Sequence, residues 1–347
     1  MKIFHWQSPQ GNFGDDLNRW LWPALAPAIW GAEDDIVFVG VGSILNDRIP
    51  SARLRVVFGS GVGYRKPPPG HRGNDWRIYC VRGPLSARAL GLGEEAAVCD
   101  SAILIPAIVP RPAADGARVV FVPHWSSARV GSWQRACEAA GIEFVDPRDD
   151  SRSVIACLAA ARLVIAESMH AAIIADAFRR PWIAVRSSPA INAFKWQDWC
   201  QSLGLDYAPH PLPPSRLQEW IEHRCLPQVE KQASRALGTN GAASDTQVKN
   251  GVLLESYRRH DGYIVQDRSS VAHFLSRATR RGGRLAGRSW IGRGIDQAMS
   301  DRAADTLAKL ARRPGVLSAD RAIERATERL LDRLDRLKRD YAAGFPA

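Results

Sequence analysis

The chain is predicted to be an α/β protein made of two doubly wound parallel-sheet halves with a helical tail. Three observations carry this expectation. Leu163 to Arg186 reads LVIAESMHAAIIADAFRRPWIAVR: an apolar run, a polar turn, a helix-period segment stopped by Pro181, and a second apolar run. That is the pattern of a strand, a helix and a parallel strand. The same strand, turn and helix sequence recurs on both sides of residues 107–117, a proline- and alanine-rich stretch that reads as a boundary. Finally, DIVFVGVG and RVVFGSGVG read as buried strands that each run into glycine, so a ligand or a facing segment approaches the backbone closely there.

In such sheets ligands sit outside the carboxyl ends of the strands. Glu167, His170 and Arg186 fall at those ends or on the helix start beside them. The plainer alternative is that Ser168 only caps the helix and the histidine happens to lie in its first turn.

The 347 residues suffice for two domains and a tail, and 46% hydrophobic with 24% charged residues indicates a globular chain. No apolar run reaches the length of a membrane span, and no basic-flanked apolar segment follows Met1, so a cytoplasmic protein is expected. The six cysteines (80, 99, 137, 157, 200 and 225) have no CxxC spacing and read as reduced thiols, so zinc is not expected; no set of Asp, Glu or His residues has a metal-like spacing, so no other metal is expected either. The net charge of +11 falls largely after Gly251, where it suits anionic lipid or phosphorylated substrates; with no nucleic-acid-binding signature, nucleic acid is not an expected partner.

Residues 2–6 form the first strand. SPQGNFGDDLNRWLW follows, with Gly11 and Gly14 bracketing Asn12 in a flexible turn. Asp15 or Asp16 either caps the next helix or accepts hydrogen bonds from sugar hydroxyls, and two aspartates there would repel a phosphate. RIYCVRGPLSARALGLG gives a strand, a turn at Arg82-Gly83-Pro84 and a glycine-ended helix. Arg82 either faces a cleft or pairs with Asp100, which ends the next short strand.

The second half restarts with RVVFVPHW, a strand ending at His124, and continues through SWQRACEAAG (helix), IEFVDP (strand) and SVIACLAAA (helix) to the Leu163–Arg186 unit. INAFKWQDWCQSLGL then forms a helix carrying Lys195 among aromatics. The domains implied are residues 1–110, 117–230 and, as linker and basic helical tail, 231–347. SRALGTNGAASDTQ is the linker by composition. In the tail, Ile323, Leu330 and Leu337 are spaced by sevens, as are Thr327, Leu334 and Tyr341, with Asp332–Arg336 and Asp335–Arg339 pairs on the outer face. The stripe either packs on its own chain or forms a dimer seam.

GNFGDDLN, GSGVGYR, CVRGPLSARALG, CDSAILIP, the strand ending at His124, AESMHAAIIADAFRRPWIAVR and INAFKWQDWC occur in this order over residues 1–205. Together they resemble the polysaccharide pyruvyl transferase family, in particular the ketalases of bacterial exopolysaccharide assembly. The resemblance implies two Rossmann-like domains facing a cleft, as in type B glycosyltransferases. It implies transfer of the carboxyvinyl carbons of phosphoenolpyruvate onto two hydroxyls of a lipid-linked saccharide at the inner membrane, with no cofactor. Ser168-Met169-His170 stands where many members carry Arg-Leu-His, so Arg82, Arg186 or Lys195 would hold the donor's anions.

The chemistry assigns roles. Phosphoenolpyruvate carries a phosphate and a carboxylate and needs at least two cations. Ketal formation protonates a carbon and deprotonates two hydroxyls, which suits a group titrating near neutrality. The catalytic candidates are His170, His124 and Glu167, the last orienting His170 or raising its pKa; the alternative for His124 is a purely structural strand-end histidine. Substrate-binding candidates are Asn12, Asp15, Asp16, Arg82, Ser168, Arg186 and Lys195. Two other classes stay open: a nucleotide-sugar glycosyltransferase of the same fold, which ultraviolet-monitored nucleotide-sugar binding would reveal, and a non-catalytic assembly partner working through the tail. Peripheral membrane contact would use the basic residues after 251 with Tyr257, Tyr263, Phe274 and Trp290.

Overall fold

The apolar runs settle into two wholly parallel sheets. The computed structural model describes residues 1–31, 35–112, 116–224, 246–259 and 290–345. In the first sheet, β1 (Lys2–Phe4), β2 (Ile36–Val39), β3 (Leu54–Ser60) and β4 (Trp76–Val81) lie in the order β1-β2-β3-β4. Among the described residues this order has no reversal, so the first sheet is not doubly wound as the sequence suggested. The chain passes from β2 to β3 and from β3 to β4 through loops without helices. Short helices α1 (Phe13–Asp16) and α2 (Leu21–Leu25) follow β1, and α3 (Pro84–Leu90) follows β4.

The second sheet contains β5 (Val119–Val122), β6 (Glu143–Phe144), β7 (Leu163–Ala166), β8 (Trp182–Arg186) and β9 (His210–Pro211), in the order β6-β5-β7-β8-β9. The order reverses between β5 and β7, the switch point at which open α/β sheets bind ligands. Its helices are α4 (Trp125–Val130), α5 (Trp133–Ala140), α6 (Ser151–Ala159), α7 (Met169–Ala177), α8 (Ala193–Ser202) and α9 (Leu217–Arg224).

Alternation along these strands feeds two cores. Val120, Val122, Val164, Ala166, Trp182 and Ala184 join an apolar cluster that also holds Phe38, Val56 and Phe58 of the first sheet. Val119, Phe121, Leu163, Ile165, Ile183 and Val185 face the opposite way, onto Trp133 and Leu307. Both faces are covered, as an all-parallel sheet requires. Helix α7 is buried on every side except at His170, and it packs between β7 and the 3-10 segment Ser101–Ala107 of the first half.

The tail returns over both sheets. Its described helices are α10 (Thr246–Arg259), α11 (Trp290–Leu310) and α12 (Asp320–Ala342). Helix α11 packs on α5 and α9; Val316 then pairs with Trp182, and Ser318 donates its N–H to Asp176 at 2.9 Å. Helix α12 lays the buried residues Ile323, Ala326, Leu330, Leu334 and Leu337 against β4 and the Ser101–Ala107 segment. The heptad stripe is therefore covered by its own chain. Its surface ion pairs are Arg336–Asp340 at 3.7 Å and Lys338–Asp335 at 3.1 Å, not the two inferred from spacing.

Tyr257, expected at a membrane surface, is 2% exposed, stacks on Phe194 at 4.9 Å and donates to the Arg65 carbonyl at 3.2 Å. The cause is that α10 packs against α3 and α8. The linker SRALGTNGAASDTQ up to Asp245, Tyr263 and Phe274 lie outside the described residues, as does the side chain of Trp290, while Thr246 and Gln247 open α10. Among the described residues no helix is long and apolar enough to cross a membrane.

Candidate active site

The carboxyl ends of strands from both sheets meet. From the first half comes the turn after β1, in which Asn12 is extended (φ −162°) and its side-chain amide donates to Asp15. Buried Asn18 fixes the turn by donating to the Asp15 and Val41 carbonyls at 3.0 and 2.9 Å. Gly14 faces His170 so closely that a Cβ there would overlap the imidazole Nδ1. Only glycine permits this approach. Asp16 accepts a long 3.4 Å hydrogen bond from the Asn12 N–H and acts electrostatically on His5, away from the histidines of the second half.

At the β5/β7 switch point the sequence expectation needs correction. Glu167 is fully buried, and its carboxylate accepts from the N–H of His124 at 3.0 Å and from the N–H and hydroxyl of Ser187 at 2.7 and 2.6 Å. It staples the ends of β5, β7 and β8. Among the described residues no hydrogen bond joins it to His170. The three-residue spacing misled because the helix begins at Met169, so Glu167 still belongs to the strand end and shares no helical face with His170. Ser168 occupies the N-cap position, yet its hydroxyl makes no capping bond. His124 caps α4, with Nδ1 2.7 Å from the Ser126 hydroxyl.

Both histidines are held neutral. Burial, then Lys195 and then Arg82 depress the His170 pKa to about 3, and burial followed by Lys195 puts His124 well below its ordinary value. The expected half-protonated His170 is not what the free site holds, since Glu167 is spent elsewhere and the nearest charges are positive. The His170 Nε2 is shielded from solvent and has no hydrogen-bond partner among the described residues.

Lys195 is the electrostatic centre. Asn192 caps α8 by accepting from the Lys195 N–H at 3.2 Å and ties the halves together by donating to the Gly63 carbonyl at 2.7 Å. The Lys195 ammonium lies 5.3 Å from the Tyr64 ring centre. It acts on Asp15, Asp100, His124 and His170, and among the described residues no carboxylate is within ion-pairing distance of it. Asp15 is pushed up to about 7 by burial, against the pull of Lys195 and with the help of Asp16 and Asp100. Burial likewise raises Asp100 to about 6. Of the groups at this junction, Asp15 titrates closest to neutrality.

Two expected cations stand differently. Arg82 is fully buried, and its partner is not Asp100 but Asp198 of α8, at 2.9 Å; it also donates to Ser43 and, at 2.7 Å, to the Val62 carbonyl. Asp198 in turn accepts from the Ser86 N–H at 2.9 Å, holding the start of α3. Arg82 thus joins the halves while still reaching His170 with its charge. Arg186 ends β8 and acts on Tyr207, not on either histidine. The structure brings together Asn12, Asp15, His124, Ser168, His170 and Lys195; Asp16 joins them only through Asn12 and Asp15, and Arg186 acts on Tyr207 instead. Sequence reasoning missed Asn192 and Asp198, whose only signal was a polar residue inside an apolar or aromatic run, and Ser187, which sits in the polar stretch after β8.

Three comparisons bear on this site. The description of the polysaccharide pyruvyl transferase family matches residues 4–189, which contain every junction residue above except Asn192, Lys195 and Asp198. The succinoglycan biosynthesis protein ExoV of Rhizobium meliloti (strain 1021) is 36% identical over 347 residues, covering 98% of this chain and 100% of ExoV. No solved structure matches the chain.

Proposed function

The chain belongs to the polysaccharide pyruvyl transferase family, and from that premise we propose that it transfers pyruvate from phosphoenolpyruvate to a sugar of a lipid-linked exopolysaccharide repeat unit. The product is a cyclic ketal, and phosphate is released. The observation that carries this reading is Lys195, a cation with no ion-pair partner among the described residues, set among Asp15, His124 and His170 where the strand ends of the two sheets meet. Such a cation awaits an anion, and the donor is one.

In this reading Lys195 binds the phosphate or carboxylate, with the first-turn amides of α7 and the Ser168 hydroxyl beside it. The buried charge of Arg82 adds to the positive field. The neutral His170 offers one N–H and one lone pair. A bound anion supplies the negative charge that the free site lacks, so it raises the imidazole pKa toward the working range. Asp15, titrating near neutrality, takes the proton of the attacking hydroxyl. A proton reaches the methylene carbon and the hydroxyl oxygen bonds to the central carbon. The bond to phosphate then breaks, and the second hydroxyl closes the ketal and loses its proton. Leaving-group chemistry of this kind needs no metal, so activity should survive a chelator.

The two facing strand-end surfaces support a type B glycosyltransferase-like arrangement. A lipid-linked acceptor would place the enzyme at the cytoplasmic face of the inner membrane, held there by basic residues of the tail. The test is incubation with phosphoenolpyruvate and a lipid-linked oligosaccharide fraction. Acceptor-dependent phosphate release, with ketal detected on the saccharide by mass spectrometry, is expected. Turnover of a nucleotide sugar instead would overturn the proposal.

One substitution probes the junction itself. Gly14→Ala places a methyl group where the His170 ring lies, so the ring must move. A misplacement of about 1 Å can cost on the order of 10²-fold in rate. Transfer should fall at least about tenfold with the thermal melt preserved; unchanged kcat/KM would argue that His170 is not at the reacting atoms.

A further inference from the structure

We infer that Glu219 is a positioning residue that stays protonated in the working enzyme and, through Ser187, holds Glu167 and the strand ends beside the reaction centre in register. This rests on the pyruvyl-transfer reading for its activity readout. Glu219 lies on α9, outside the residues matched by the family description.

Proton counting carries the argument. Glu167 and Glu219 are both fully buried, and among the described residues neither is in an ion pair. The Ser187 hydroxyl lies 2.6 Å from Glu167 Oε1 and 3.4 Å from Glu219 Oε1. One hydroxyl has one proton, and the nearer oxygen takes it. Glu219 Oε2 accepts from the N–H and hydroxyl of Ser215 at 2.7 and 3.0 Å. Its other oxygen faces the Ser187 oxygen lone pairs, and only a protonated carboxyl makes that contact favourable. The chain of donors then runs from Glu219 to Ser187 to Glu167, whose second oxygen holds the His124 N–H.

Burial and the neighbouring Glu167 push the Glu219 carboxyl up to about 8, consistent with this count. The other ionisable groups around it are His223, held neutral by burial, Glu222 paired with Arg129 at 3.2 Å, and Arg216 paired with Asp296 at 3.2 Å. None supplies a free cation. Above about pH 8 the proton leaves, two buried carboxylates repel across Ser187, and the ends of β5 and β8 lose their staple.

The experiment compares wild type with Glu219→Gln, whose amide donates to Ser187 as the acid does. The wild type should lose kcat/KM above about pH 8, by roughly 30-fold at pH 9.5 for a single ionisation. Glu219→Gln should keep wild-type activity within about threefold at pH 7.5 and show no such limb. Retention of the alkaline limb by Glu219→Gln, or its inactivity at pH 7.5 with an intact fold, would overturn the proposal. A thermal-melt series gives an activity-independent check. Because the folded carboxyl binds its proton more tightly than the unfolded one, stability falls as pH rises from 4.5 to about 8. The melting advantage of Glu219→Gln over wild type should therefore grow across that window and level off above it. A constant difference would sink the idea. If wild type shows no pyruvyl transfer at any pH, the functional reading fails, and the melts still decide the proton.

Discussion

Replacement of His170 by alanine or glutamine is expected to lower pyruvyl transfer by about 10²–10⁴-fold, the usual worth of a group acting on protons or hydrogen bonds in the transition state. The ring sits in the first turn of α7, pressed against Gly14, with Nε2 shielded and unpartnered among the described residues. It is isolated from the carboxylate staple, so its removal should leave the fold intact. Donor binding should weaken little, since Lys195 supplies the charge. His170→Gln retaining more than about a tenth of wild-type activity would be too small a loss, and His124 would become the better candidate.

The pH profile separates His170 from Asp15. With His170 at about 3 and Asp15 at about 7, the acid limb of kcat/KM should fall near pH 7 and belong to Asp15, with activity rising as the carboxylate forms. Linkage gives the opposite signs for stability. The depressed histidine contributes stability that is lost as pH falls from 6.5 toward 3, whereas the raised aspartate costs stability as pH rises from 3.8 to about 7.

Asp198→Ala should destabilise the protein by about 3–5 kcal/mol, because it strands the Arg82 guanidinium in a site that is 0% exposed. It also removes the acceptor at the start of α3 and one of the ties between the two halves. Against a total stability of about 5–15 kcal/mol this is a large fraction. A shift of the denaturant midpoint measures it. Arg82→Lys should recover little, since one ammonium cannot reproduce the three-way donation to Asp198, Ser43 and Val62. A loss below about 1 kcal/mol for Asp198→Ala would mean that the pair contributes as little as a surface ion pair.

The second half was legible in the sequence because each element announces itself locally: LVIA as a strand, the Glu167–His170 turn, and AAIIADAF as a helix stopped by Pro181. The first sheet was legible as strands but not in its order, since nothing in DIVFVGVG or RVVFGSGVG says on which side the next strand is added. His170 and Lys195 could be picked out because polar residues at strand ends and helix starts stand apart from apolar runs. Their charge states could not. The neutrality of His170 depends first on its burial, then on Lys195, 25 positions away, with Glu167 diverted to Ser187 and His124. The true partner of Arg82 lies 116 positions along the chain, a contact made by the meeting of two halves and by no local pattern. The heptad stripe of α12 showed that an apolar face must be covered, but not that the first sheet would cover it.

The central claim is that the junction around Lys195 binds phosphoenolpyruvate. Calorimetric titration of phosphoenolpyruvate into the wild type and into Lys195→Ala tests it most directly. The wild type should bind saturably, and Lys195→Ala, folded by circular dichroism, should bind at least about tenfold more weakly, the loss expected of about 1.4 kcal/mol or more of charge-assisted contact. Equal affinity in the two proteins would contradict the account.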